Sequence, residues 1–146
     1  MITHCEFHPN DSQMFLYSSS KGSFTVCDLR LNSQVQSNCA KFETVDEEAR
    51  KNYFSEIINS LSWATFSSKD HEIVSRDYMN VKVWDISNPG NEPLHNSCVL
   101  DFQNSHLQGM YDSGAIFDRF DVKVSSNGNQ IMAGGYNDSF TVIDVS

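Results

Sequence analysis

Three segments of this chain share one layout. An apolar strand meets a short turn rich in Ser, Gly, Asn and Asp, and an alternating strand then runs to an aspartate. The segments are residues 15–28, 74–86 and 131–144, and their aspartates Asp28, Asp85 and Asp144 stand 57 and 59 residues apart. In the middle copy Val81, Val83 and Ile86 flank polar Asn80, Lys82 and Asp85. That near-alternation suits a half-buried strand, because successive side chains point to opposite faces. Each copy is preceded by a further strand closing on a turn, at residues 5–9, 61–67 and 120–125. Repetition at this period means that each copy is one supersecondary unit, which buries its apolar surface by stacking on its neighbours.

The middle copy closes on Trp84-Asp85, the dipeptide that marks blades of WD-repeat propellers. The expected fold is therefore all-β: a WD-repeat β-propeller of about three four-stranded antiparallel blades in an incomplete ring. Blade 1 is expected over about residues 2–42, with 35–42 as its outer strand. Blade 2 covers about 58–101, with 94–101 outermost, and blade 3 about 116–146, lacking its last strand. The period exceeds the ~40–45 residues of a usual blade, which leaves 43–57 and 102–115 as insertions between blades. In the first of these, Thr44 and Glu47 are spaced for a capping box opening a short helix; a solvated loop fits as well. Fewer than four blades cannot close a ring. The expectation is a fragment of a longer propeller, or a truncated product, with apolar faces left open on its first and last units.

Hydrophobic residues at 39% and aromatic residues at 12% supply a packed core. Ten basic against nineteen acidic residues give a net charge of −9. That charge argues against nucleic acid or an anionic membrane as a partner and suits basic protein segments. No apolar run is long enough for a membrane span, and no secretion signal is visible at the start. Cys5, Cys27, Cys39 and Cys98 are scattered, with no CxxC pair. They read as reduced thiols of a cytosolic or nuclear protein.

Residues able to carry catalysis do not converge. His4, His8, His71, His95 and His106 show no metal-ligand spacing. Ser18-Ser-Ser20 has no GxSxG elbow around it, and Gly134-Gly135 is not followed by the Lys-Ser/Thr of a phosphate loop. No enzyme activity, metal or cofactor is expected. Asp28, Ser75, Asp77, Trp84, Asp85 and Asp144 are read as blade-ordering residues, with Asp77 hydrogen-bonded to Ser75 and nearby backbone.

Several motifs together carry a more specific resemblance: Phe7-His-Pro-Asn10, Tyr17-Ser-Ser-Ser-Lys-Gly22, Cys27-Asp28, Phe54-Ser-Glu-Ile-Ile58, Arg76-Asp-Tyr78, Val81-Lys-Val-Trp-Asp85 and Ile116-Phe-Asp-Arg-Phe120. The chain resembles the WD-repeat B-type regulatory subunits of serine/threonine protein phosphatase 2A, matching their middle-to-late blades. The resemblance implies a seven-bladed propeller that binds the phosphatase scaffold and catalytic subunits and recruits phosphoprotein substrates. It implies a groove on one propeller face, formed by loops that are often short helices. Carried over residue by residue, the groove candidates are Phe54, Glu56, Ile57, Ser60, Tyr111, Phe117 and Arg119. Aromatic residues beside a few charges are also what a binding hot spot looks like. The competing reading is that Phe54, Ile57 and Phe117 plug loops onto the propeller face. Gly114 stands where many relatives carry an acidic residue, which would loosen the hold on basic flanks around a phosphosite. The alternatives in function are a generic WD-repeat interaction scaffold and a truncated copy unable to assemble. The expected location is the cytosol, and also the nucleus.

Overall fold

The computed structural model describes residues 1–31, 39–43, 53–87, 92–101 and 104–146, with side chains from 106 onward in the last stretch. Three antiparallel sheets follow one another along the chain. The first contains β1 (Ile2–Phe7), β2 (Met14–Ser19), β3 (Ser23–Asp28) and β4 (Cys39–Glu43), in that order. The second contains β5 (Trp63–Phe66), β6 (Glu72–Arg76), β7 (Asn80–Asp85) and β8 (His95–Cys98). The third contains β9 (Val122–Val124), β10 (Gln130–Gly134) and β11 (Phe140–Asp144). Meanders of this kind, arranged side by side, fit part of a WD propeller and bear out the expected fold class.

The registers explain why the aspartates recur. Asp28, Asp85 and Asp144 each end the third strand of a sheet. In each case Oδ1 accepts the backbone N–H two residues on, from Arg30, Ser87 and Ser146 at 2.9, 2.8 and 3.0 Å. This local turn satisfies backbone as the chain leaves the sheet, which is what Asp does best at such a position. Arg30 further holds the half-buried Asp28 carboxyl below its ordinary pKa by hydrogen bonding it directly.

The middle sheet is buried on both sides. Ile73 and Trp84 face the first sheet, joining Leu16, Phe24, Val26, Phe42, Leu61, Ala64 and Phe66 in one apolar cluster. Val74, Val81 and Val83 face the third sheet and pack with Val122, Ile131, Ala133 and Ile143. Trp84 is only 2% exposed. Its ring meets Phe24 and Phe42 edge-on at 5.7 and 6.2 Å, and its indole N–H donates to Ser75 Oγ at 2.8 Å.

Polar ties cross both seams. Glu6 on β1 accepts from Thr65 Oγ1 and the Phe66 amide, each at 2.8 Å. His4 stacks on Trp63 at 3.7 Å. Ser62 and Ser68 hydroxyls donate to the carbonyls of Phe120 and Ser125 at 2.8 and 2.9 Å. On the outer faces Phe7, Met132, Phe140 and Val142 stay exposed.

The structure departs from the sequence reading in four places. First, Cys27 and Cys39 are not free thiols. They lie directly opposite each other on β3 and β4, with Cα atoms 4.4 Å apart, and form a disulfide; Cys5 and Cys98 are free. That Cα separation belongs to non-hydrogen-bonded cross-strand pairs, where side chains come closest. Second, Ser75 serves Trp84. Asp77 does bond nearby backbone as expected, Oδ1 accepting from the Met79 and Asn80 amides at 2.9 and 2.6 Å, but its side-chain neighbour is Lys82, whose Nζ lies 3.5 Å from Oδ2. Third, the outer strand of the second sheet is shorter than expected, at His95–Cys98, while that of the first runs on to Glu43 and residues 35–38 of its expected span lie outside the described residues. Fourth, the second insertion folds into a ten-residue helix, α2 (Asn104–Ser113), followed by a 3-10 turn, Ala115–Phe117. The first insertion contributes a single helical turn, α1 (Ser55–Ile58), and the proposed capping box at 44–47 lies outside the described residues.

Candidate functional site

The strand-connecting turns at one end of the first two sheets, together with α1 and the 3-10 turn, surround a pocket of about 290 Å³. Glu56 and Ile57 of α1, and Ser60 just after it, form one wall. Ile116 through Phe120 form the opposite wall. Asp77 and Tyr78, from the turn after β6, and Ser20, from the turn after β2, complete it. Five of the seven groove candidates, Glu56, Ile57, Ser60, Phe117 and Arg119, therefore share one cavity.

The other two sit beside it. Tyr111 is 38% exposed at the end of α2 and lies 5.9 Å, ring to ring, from Phe117, which is 60% exposed. Phe54 is only 5% exposed. It belongs to a small core with Tyr78, Leu107 and Ile116, packed against Ile57, Ile58 and Met110. The plug reading thus describes Phe54, while Phe117 and Tyr111 offer their rings to solvent. Tyr53, which is not among the groove candidates, extends the aromatic shelf. It is 80% exposed and packs on Phe54 and Tyr111 at 5.1 and 6.5 Å.

Local sequence explains how the shelf is held. Leu107 and Met110 are one turn apart on α2 and anchor it to the core, which leaves Tyr111 at the rim. Gly114 ends α2 with φ of 79°, the left-handed conformation that glycine adopts without penalty. The chain then reverses into the 3-10 turn, closed by the Phe117 amide on Gly114 O and the Asp118 amide on Ala115 O. Ile116 points into the core and Phe117 out of it.

Of the charged residues lining the pocket, Glu56 and Asp118 stand against Arg119, while Asp77 is buried and paired with Lys82 at 3.5 Å. Burial pushes the Asp77 carboxyl above its ordinary range, against the pull of Lys82 and two backbone amides. Beneath the pocket Arg76 is fully buried, and burial pulls its pKa down, opposed by Asp77 and Asp121. Its guanidinium lies over the Phe120 ring at 5.3 Å, and among the described residues none accepts a hydrogen bond from its nitrogens. Among the described residues no cluster of His, Cys, Asp or Glu could hold a metal ion, and no helix is long and apolar enough to cross a membrane. The arrangement offers shape, aromatic surface and negative charge. These are the means of binding a basic segment of another protein.

No protein-family model matches the chain. Among curated proteins, it is 39% identical over 144 residues to a protein of Carassius auratus, the B-beta isoform of the 55 kDa regulatory subunit of serine/threonine-protein phosphatase 2A. The chain resembles part of a phosphatase 2A B-type regulatory subunit. The match covers 99% of this chain and 32% of the relative, so the chain spans about a third of that protein's length. The resemblance inferred from the Tyr17–Gly22 and Phe54–Ile58 motifs is thus borne out along almost the whole sequence. That relative is named a regulatory subunit.

Proposed function

We propose that this chain serves as part of a regulatory subunit of protein phosphatase 2A and that its pocket captures phosphoprotein substrates through their basic flanks. The three sheets act as consecutive blades, and segments 43–57 and 102–115 are the insertions that furnish the groove. The phosphatase scaffold and catalytic subunits are the stable partners, in the cytosol and nucleus. The observation that carries the reading is the exposure of Phe117 and Tyr111 beside Glu56 and Asp118. An exposed aromatic pair next to carboxylates favours a cationic, partly apolar ligand.

The test is titration of the full chain with a phosphoserine peptide flanked by Lys and Arg. Phe117→Ala is expected to weaken binding about tenfold or more, the usual effect of truncating an anchoring aromatic. Its melting temperature should stay close to the parent's, because the ring packs mainly against the exposed Tyr111. Lost stability with retained binding would make Phe117 a packing residue and end the groove assignment.

A further inference from the structure

The turn after β10 brings Tyr136 to the same end of the molecule as the pocket, although Tyr136 does not line it. Its ring packs edge-on against Phe120, with centroids 4.9 Å apart. Its hydroxyl lies 2.9 Å from the Tyr78 hydroxyl and donates to the carbonyl of Ala115 at 2.7 Å. A phenol has one proton. With that proton committed to Ala115, Tyr136 receives from Tyr78, whose hydroxyl also lies 3.7 Å from Met110 Sδ, and the two hydroxyls form a directed relay from the second sheet through the third to the 3-10 turn.

The Ala115 carbonyl is also the acceptor for the Asp118 amide that closes this turn. Both bonds to one oxygen therefore fix the segment from which Phe117 and Arg119 project. The Phe117 side chain has little to hold it, since it is mostly exposed and its ring contact is Tyr111. Its position is inherited from the backbone. Burial raises the pKa of both phenols above their ordinary value, and for Tyr136 the neighbouring Tyr78 adds to the rise, so both hydroxyls stay protonated donors in neutral solution.

We infer that Tyr136 is a positioning residue for the groove, its hydroxyl, backed by that of Tyr78, pinning the Ala115 carbonyl and with it the presentation of Phe117 and Arg119. The inference rests on the reading of this pocket as a protein-binding groove. It gives the seam between the second and third sheets a task beyond packing. A shift of either sheet at this end would move the wall that the ligand meets.

The experiment compares parent, Tyr136→Phe and Tyr78→Phe in the full chain. It follows amide hydrogen exchange, thermal melting and affinity for the Lys- and Arg-flanked phosphoserine peptide. Tyr136→Phe keeps the ring on Phe120 and removes only the hydroxyl. It should speed exchange of the Phe117 and Asp118 amides and weaken the peptide, each by roughly three- to tenfold, because the bond to the Ala115 carbonyl is lost together with the one from Tyr78. Exchange in β6 and β10 should stay near parent values, and the melting temperature should fall by no more than the few degrees that the lost hydroxyl bonds cost. Tyr78→Phe, which leaves Tyr136 able to donate to Ala115, should give a smaller change in the same two readouts.

Unchanged exchange at Phe117 and Asp118 in Tyr136→Phe overturns the inference. So does exchange that rises equally throughout the sheets, which would mark a purely structural tyrosine. Phe117→Ala separates the two proposals. If that variant binds the peptide like the parent while Tyr136→Phe still loosens the turn, the groove reading falls and the positioning role of Tyr136 stands.

Discussion

Replacing Trp84 by alanine should cost the fold roughly 3–5 kcal/mol, the usual penalty for emptying a buried aromatic site. Two features place this position at or above the middle of that range. The indole is sealed between the first and second sheets, 2% exposed and edge-on to the stacked Phe24–Phe42 pair. Phe24 and Phe42 are themselves held in their sheet by strand pairing, which limits collapse into the void. The substitution also strips Ser75 Oγ, buried beside it, of the indole donor at 2.8 Å, adding about 1 kcal/mol. Trp84→Phe separates the terms, because it keeps most of the apolar contact and deletes the N–H. It should cost about 1–2 kcal/mol, and less when combined with Ser75→Ala, since the double variant leaves neither partner unpaired. Urea unfolding followed by circular dichroism reads each value, with the shift in midpoint reporting stability at constant slope. A loss below about 1 kcal/mol for Trp84→Ala would refute the claim that this ring seals an inter-sheet seam.

The Cys27–Cys39 disulfide closes a loop spanning 12 residues, so Cys39→Ser should lower stability by about 2–3 kcal/mol. Peptide mapping with and without reductant checks the bond directly, since linked fragments containing residues 27 and 39 should separate on reduction. The folded-state pKa values of Tyr78 and Tyr136 lie above the ordinary phenol value near 10. Their contribution to stability is then complete below about pH 10 and is lost as pH rises through the folded values. A spectrophotometric tyrosine titration should show a late-ionising step that shrinks by one phenol in Tyr136→Phe and keeps the contribution of Tyr78.

The repeat was legible because local chemistry and long-range packing ask for the same residues. Alternation set which neighbouring sheet each side chain of the middle strands faces, although β7 is buried on both sides rather than half-buried, and an aspartate closed each third strand with the same backbone bond at Asp28, Asp85 and Asp144. Five residues that line the pocket were named as groove candidates, though only through the motif resemblance, since nothing in spacing alone brings Glu56 to Phe117. Helix α2 was obscured by its composition. Polar residues and Gly109 dilute its pattern, and it owes its place to two anchors, Leu107 and Met110. The disulfide was hidden because β4 has a loose pattern, and without its register the pairing of Cys27 with Cys39 cannot be seen. Tyr78 and Tyr136 had a signal that went unused. They stand 58 residues apart, close to the repeat period, in the same turn of successive copies, and such positions become neighbours when the copies stack side by side.

The most direct test of the account is a quantitative comparison of the proteins retained by the full chain and by its Phe117→Ala variant. The scaffold and catalytic subunits of phosphatase 2A should be retained equally by both, while phosphoproteins with basic flanks should be retained by the parent and depleted from the variant. Absence of both phosphatase subunits from the parent, or equal retention of the phosphoproteins, would contradict it.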